Sequence, residues 1–104
     1  MRFQPLEKLI NLYDGYRRRF KIDGLQVLLI QEGSTLYLLE AQCPHKGQLL
    51  DEASVESGCL TCPLHHYRFD LTSGALLAHN DEPCRPLRVY TPAYEGNEIG
   101  VLLE

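Results

Sequence analysis

Residues 43–70 read CPHKGQLLDEASVESGCLTCPLHHYRFD, and this stretch decides how the rest of the chain is understood. It holds Cys43-Pro44-His45 and then Cys62-Pro63-Leu64-His65, with residues 46–61 between His45 and Cys62. Each half offers one soft thiolate and one imidazole, a donor set that suits zinc or an iron–sulfur cluster and not a hard cation such as calcium. Spacing separates the two. A single zinc ion usually takes its close pair from ligands two to four residues apart, because both side chains must reach one small ion. The one-residue gap between Cys43 and His45 is awkward for that and natural if the two side chains diverge onto two metal ions. In a two-iron cluster, the cysteines of both loops would hold one iron and the histidines the other.

Working outward, the whole chain has 104 residues, 44% of them apolar, which suffices for one domain and leaves no room for a large catalytic one. With 23% charged residues the composition is that of a folded chain. Apolar runs stop at four residues, as in Val27-Leu28-Leu29-Ile30 and Leu36-Tyr37-Leu38-Leu39, and the start MRFQPLEKLI lacks a signal-peptide core. A soluble, intracellular (cytoplasmic) protein is expected. In that setting four cysteines and four histidines point to metal or redox chemistry before a disulfide framework. Charge is uneven. Residues 2–23 carry six basic and three acidic side chains, whereas four basic and eleven acidic ones follow, a local net of -7 within an overall -4. That acidic majority argues against duplex nucleic acid as a partner and suits a basic protein surface.

No repeat, linker or low-complexity tract divides the chain, so residues 1–104 read as a single domain. Short runs rich in Val, Ile, Leu and Tyr recur between Gly, Asp, Asn and Pro, the pattern of an all-β protein. Strands are expected over residues 16–22, 26–31 and 35–41, joined by hairpin turns at Asp23-Gly24 and Glu32-Gly33-Ser34. Two more are expected at 87–91 and 99–103, flanking a turn at 94–98, with a short helical turn near residues 6–12. Between Gln42 and Gly74 the alternation breaks down, and three of the four cysteines and three of the four histidines lie there.

Cys43-Pro44-His45-Lys46-Gly47 with Cys62-Pro63-Leu64-His65-His66-Tyr67-Arg68-Phe69-Asp70 and Gly74 resembles the two-loop signature of Rieske [2Fe–2S] proteins, C-x-H followed by C-x-x-H. All four ligand positions match, and the likeness extends into the flanking strands. The resemblance implies a small antiparallel β-sandwich or barrel base with an inserted cluster-binding subdomain of about residues 42–74. It implies one [2Fe–2S] cluster, with Cys43 and Cys62 on the inner iron and His45 and His65 on the outer iron. It also implies one-electron transfer between redox proteins, with no catalytic residue and no membrane attachment. A free-standing ferredoxin between a reductase and a terminal oxygenase fits the short chain best. The alternatives are the small subunit of an assimilatory nitrite reductase and a zinc-stabilised interaction module.

Departures from the respiratory branch are informative. The loop-bridging disulfide of those proteins would fall at Gln48 and Leu64, where it cannot form, and their sulfur-directed Ser and Tyr are replaced by Tyr67 and Phe69. Fewer hydrogen bonds to the cluster sulfurs imply a potential in the lower part of the Rieske range. Where relatives often place Gly, this chain has His66, which tolerates a positive φ better than most residues. Cys59 and His79 read as ordinary structural or loop residues. Cys84, in Pro83-Cys84-Arg85-Pro86, resembles part of the Pro-containing loop that covers the cluster in this family, near the metal without binding it. On a strand, Arg17, Arg19 and Lys21 share one face, expected to be solvated, while Lys46 and Leu64 are the expected contact residues. Leu49, Leu50 and Leu64 either pack across the ligand loops or form an apolar rim.

Overall fold

The chain is described by a computed structural model covering residues 2–44, 49–63, 66–78 and 84–103. Eleven strands among these form three antiparallel sheets. The central sheet contains β2 (Arg17–Ile22), β3 (Leu25–Glu32), β4 (Thr35–Glu40) and β9 (Val89–Tyr90) in the order β2-β3-β4-β9. A terminal sheet has the order β1-β11-β10, from β1 (Arg2–Lys8), β10 (Pro92–Glu95) and β11 (Glu98–Leu103). The third, distal sheet runs β5-β6-β7-β8, from β5 (Ser54–Glu56), β6 (Cys59–Thr61), β7 (Arg68–Asp70) and β8 (Leu76–Ala78).

The four-residue apolar runs are explained by the central sheet, which is covered on both faces. Val27, Leu29 and Leu38 pack with Ile22, Ile99 and Val101 against the terminal sheet. Their neighbours Leu28, Ile30 and Leu39 point the other way, into a second core with Leu60, Phe69 and Leu71 of the distal unit. A strand buried on both faces has no polar positions to alternate with. At Asp23-Gly24 both residues have positive φ, 48° and 86°, the two-residue turn whose twist matches an antiparallel hairpin. β4 and β9 are neighbours, Leu38 opposite Tyr90 and Leu39 opposite Val89, so the intervening chain leaves and rejoins the same sheet.

Several expectations are corrected. The helical turn is confined to a 3-10 turn at Leu9–Asn11, and residues before it form β1. Pro5 obscured that strand. It sits at a register shift on an edge strand, where a missing N–H is tolerated. The last hairpin turns at Gly96-Asn97, with Tyr94 and Glu95 inside β10. The expected solvated face holds for Arg19 and Lys21, which are exposed, but not for Arg17, which is half-buried and turns towards the distal unit. Arg17 Nη1 donates to the carbonyls of Asp51 and Ala53 at 2.8 and 2.6 Å, and Arg19 Nε lies 3.8 Å from Asp51 Oδ2. From the far end of β3, the Glu32 carboxylate accepts the N–H groups of Ser57 and Gly58, both at 2.8 Å. Together Arg17 and Glu32 fasten the distal sheet to the base.

At the other end of the base, Glu7 gathers donors from three places. Asn11 Nδ2 at 2.9 Å, Tyr16 Oη at 2.8 Å and the Lys8 N–H at 2.8 Å all point at its carboxylate, and Arg18 lies 3.6 Å away. These bonds hold the Glu7 carboxyl below its ordinary value, whereas burial, with the Glu7 bond, pushes the Tyr16 phenol up to about 12. A lowered carboxyl stabilises the fold above its unfolded value and loses that contribution as pH falls. A raised phenol stabilises below about 10 and loses that contribution as pH climbs towards 12. Urea midpoints should therefore fall off on both sides of neutrality, with Tyr16→Phe flattening the alkaline limb and Glu7→Gln the acid one. An alkaline limb unchanged by Tyr16→Phe would show that the phenol is not the group responsible.

Candidate metal centre

The two candidate thiols come from opposite sides of the excursion and meet in one place. Cys43 follows the end of β4, Cys62 follows the end of β6, and both are buried in the core that contains Leu50, Leu60, Tyr67 and Phe69. Cys62 begins a tight loop closed by two backbone bonds. Its N–H donates to the Tyr67 carbonyl at 2.8 Å, and its own carbonyl accepts the His66 N–H at 3.0 Å. Closing that loop puts His66 in the left-handed region, φ 57°, as its position in the motif led one to expect. The side chain of His66 is exposed.

Each remaining element of the motif has a packing reason. Phe69 and Tyr67 are fully buried and build the wall behind the thiols. Asp70 caps the turn after β7: its carboxylate accepts from Ser73 Oγ at 2.8 Å and from the Thr72 N–H at 3.2 Å, which keeps its pKa below the usual value. Gly74 closes this turn through its N–H to the Asp70 carbonyl at 2.7 Å, then accepts the Leu87 N–H at 2.8 Å. A side chain at Gly74 would collide with the Leu87 carbonyl, so glycine permits two backbones to touch here. Leu87 is thereby buried beside the thiols and carries Cys84 with it.

Cys84 is half-buried and packs against the core holding Cys43 and Cys62. Burial pushes its thiol pKa up, and the nearby Cys62 adds to the shift. Cys59 is a half-buried thiol opposite Asp70 in the distal sheet, outside that core. Leu50 packs inward, whereas Leu49 is exposed. His45, His65, Lys46, Gln48, Leu64 and His79 lie outside the described residues. Among the described residues, no three His, Cys, Asp or Glu side chains gather closely enough to hold a metal ion. Two buried thiols in an apolar wall fit the sulfur end of an iron–sulfur cluster, since thiolate charge out of water needs a metal to offset it.

Residues 3–91 match the family described as the Rieske [2Fe-2S] domain. The chain belongs to this family. Among Rieske proteins it is 34% identical over 74 residues to the anthranilate 1,2-dioxygenase ferredoxin subunit of Burkholderia cepacia, covering 68% of each chain. It is 28% identical over 94 residues to the biphenyl 2,3-dioxygenase ferredoxin component of Rhodococcus jostii, covering 90% of this chain and 86% of that one. The solved ferredoxin of carbazole 1,9a-dioxygenase from Nocardioides aromaticivorans superposes with a TM-score of 0.82 at 31% identity, over 98% of both chains. All three are ferredoxin components of dioxygenase systems. Among the described residues, no helix is long and apolar enough to cross a membrane.

Proposed function

We propose that this protein is a one-electron carrier that takes an electron from a reductase and passes it to a terminal oxygenase. In this reading Cys43 and Cys62 hold the inner iron of one [2Fe–2S] cluster and His45 and His65 the outer iron, within a cluster-binding unit of about residues 42–74. The observation that carries the reading is the burial of Cys43 and Cys62, from two separate loops, in one apolar core of a Rieske domain. When bound, the cluster supplies one reversible one-electron step. Around it, Leu50, Tyr67, Phe69 and Leu87 exclude water from the thiol side. With no substrate to transform, the chain needs no catalytic base or nucleophile, only a rigid seat and a partner surface.

Phe69, fully buried, can donate no hydrogen bond towards the sulfurs. A redox titration should accordingly give a single one-electron wave in the lower half of the span of about -150 to +300 mV that Rieske centres cover. A midpoint in the upper half would contradict this account of sulfur-directed bonding. Stable co-purification with a large redox subunit would instead move the assignment to the nitrite reductase small subunit, a role served by the same fold.

A further inference from the structure

One carboxylate in the base grips the segment that closes over the thiols. Glu40 ends β4, three residues before Cys43, and its side chain is only 12% exposed. Arg85 Nη1 donates to Glu40 Oε2 at 2.7 Å and Arg85 Nη2 to Oε1 at 2.8 Å, a two-pronged fork. The Arg88 N–H donates to Oε2 at 2.6 Å, and the Glu40 N–H donates to the Arg88 carbonyl at 2.9 Å. Glu40 therefore holds both ends of the 85–88 segment, while Leu87 between them is buried and bonded to Gly74. Cys84, the next residue, is thereby pressed against the core containing Cys43 and Cys62.

We propose that Glu40 is a positioning residue for the cluster, latching segment 84–88 over the Cys43 and Cys62 thiols through its fork to Arg85 and its bond to the Arg88 amide. The inference rests on the cluster reading above. Three charge-assisted bonds converge on this carboxylate, and such bonds are stronger than neutral ones. The fork needs a planar guanidinium, which a lysine ammonium cannot replace. The segment it holds packs on the core at only two described side chains, Cys84 and Leu87, so few other contacts resist its opening. Opening it would admit water and chelators to the sulfur end of the cluster.

The test compares wild-type protein with E40Q, R85Q, R85K and the double variant E40Q/R85Q. Loss of the visible spectrum to an iron chelator is followed under anaerobic conditions, and amide exchange is measured on the same samples. Each single variant should lose the cluster about tenfold faster than wild type, with the double variant no faster than the faster single one. Exchange of the Arg88 amide should rise by a similar factor while that of the β3 amides stays unchanged, which marks a local opening and not general destabilisation. Rates within twofold of wild type in all variants, an unchanged Arg88 amide, or multiplied effects in the double variant would overturn the proposal. Should E40Q not fold, R85Q and R85K decide it. Should the wild-type protein carry no iron, the cluster reading fails, and Arg88 exchange still decides the latch.

Discussion

Gly74→Ala is expected to lower stability by about 4 kcal/mol, a large part of what a domain of this size possesses. Two costs add. The residue has φ +79°, a region that alanine occupies at a penalty, and its new methyl would overlap the Leu87 carbonyl, whose carbon lies 3.0 Å away. A carbonyl in a backbone contact cannot swing aside as a side chain can, so segment 84–88 would have to lift away. Gly33→Ala is the control: its φ is +63° but nothing lies within 4 Å, so only the conformational cost of about 1 kcal/mol remains. Urea denaturation of the two variants should differ by about 3 kcal/mol. Equal losses would show that the Gly74–Leu87 approach is not a tight contact.

Cys62→Ala is expected to abolish cluster binding altogether, and His45→Ala to do the same, because in the proposed reading the cluster requires both loops and takes two donors from each. The consequence should extend beyond colour. Cys62 bonds through its backbone to Tyr67 and His66, and in the proposed reading its ligand bond is a large share of what orders these residues. The amides of residue 62 and His66 should exchange faster in Cys62→Ala, while β3, buried on both faces, should keep its protection. By contrast, Cys59→Ala should retain the full visible spectrum, since that thiol lies outside the shared core. A full spectrum in Cys62→Ala or His45→Ala would refute the ligand assignment.

The base was legible because its signals are local. Asp23-Gly24 specifies its hairpin within two residues, and Val27–Ile30 declares a buried strand by its unbroken apolar character. β1 was not legible because Pro5 masks an edge strand whose pairing is with β11, nearly a hundred residues away. The distal sheet was hidden for a related reason. Its strands have three residues each, too few to display a period, and their order is set by pairings between them that no local signal announces.

At the site, the motif marked Cys43, Cys62, His66 and Gly74, whose spacing is itself the signal. Arg17 looked like one of several surface cations, and only its place opposite Ile30, on the face that meets the second core, turns it inward. Glu40 and Arg85 are 45 positions apart and meet only through the fold. Nothing near either residue in sequence announces the pair.

Electron paramagnetic resonance of the dithionite-reduced protein, with iron and zinc determined on the same sample, tests the central claim most directly. The account predicts two irons per chain, no zinc, and a paramagnetic signal on reduction that is lost in Cys62→Ala. A colourless protein holding one zinc and giving no signal on reduction would contradict it.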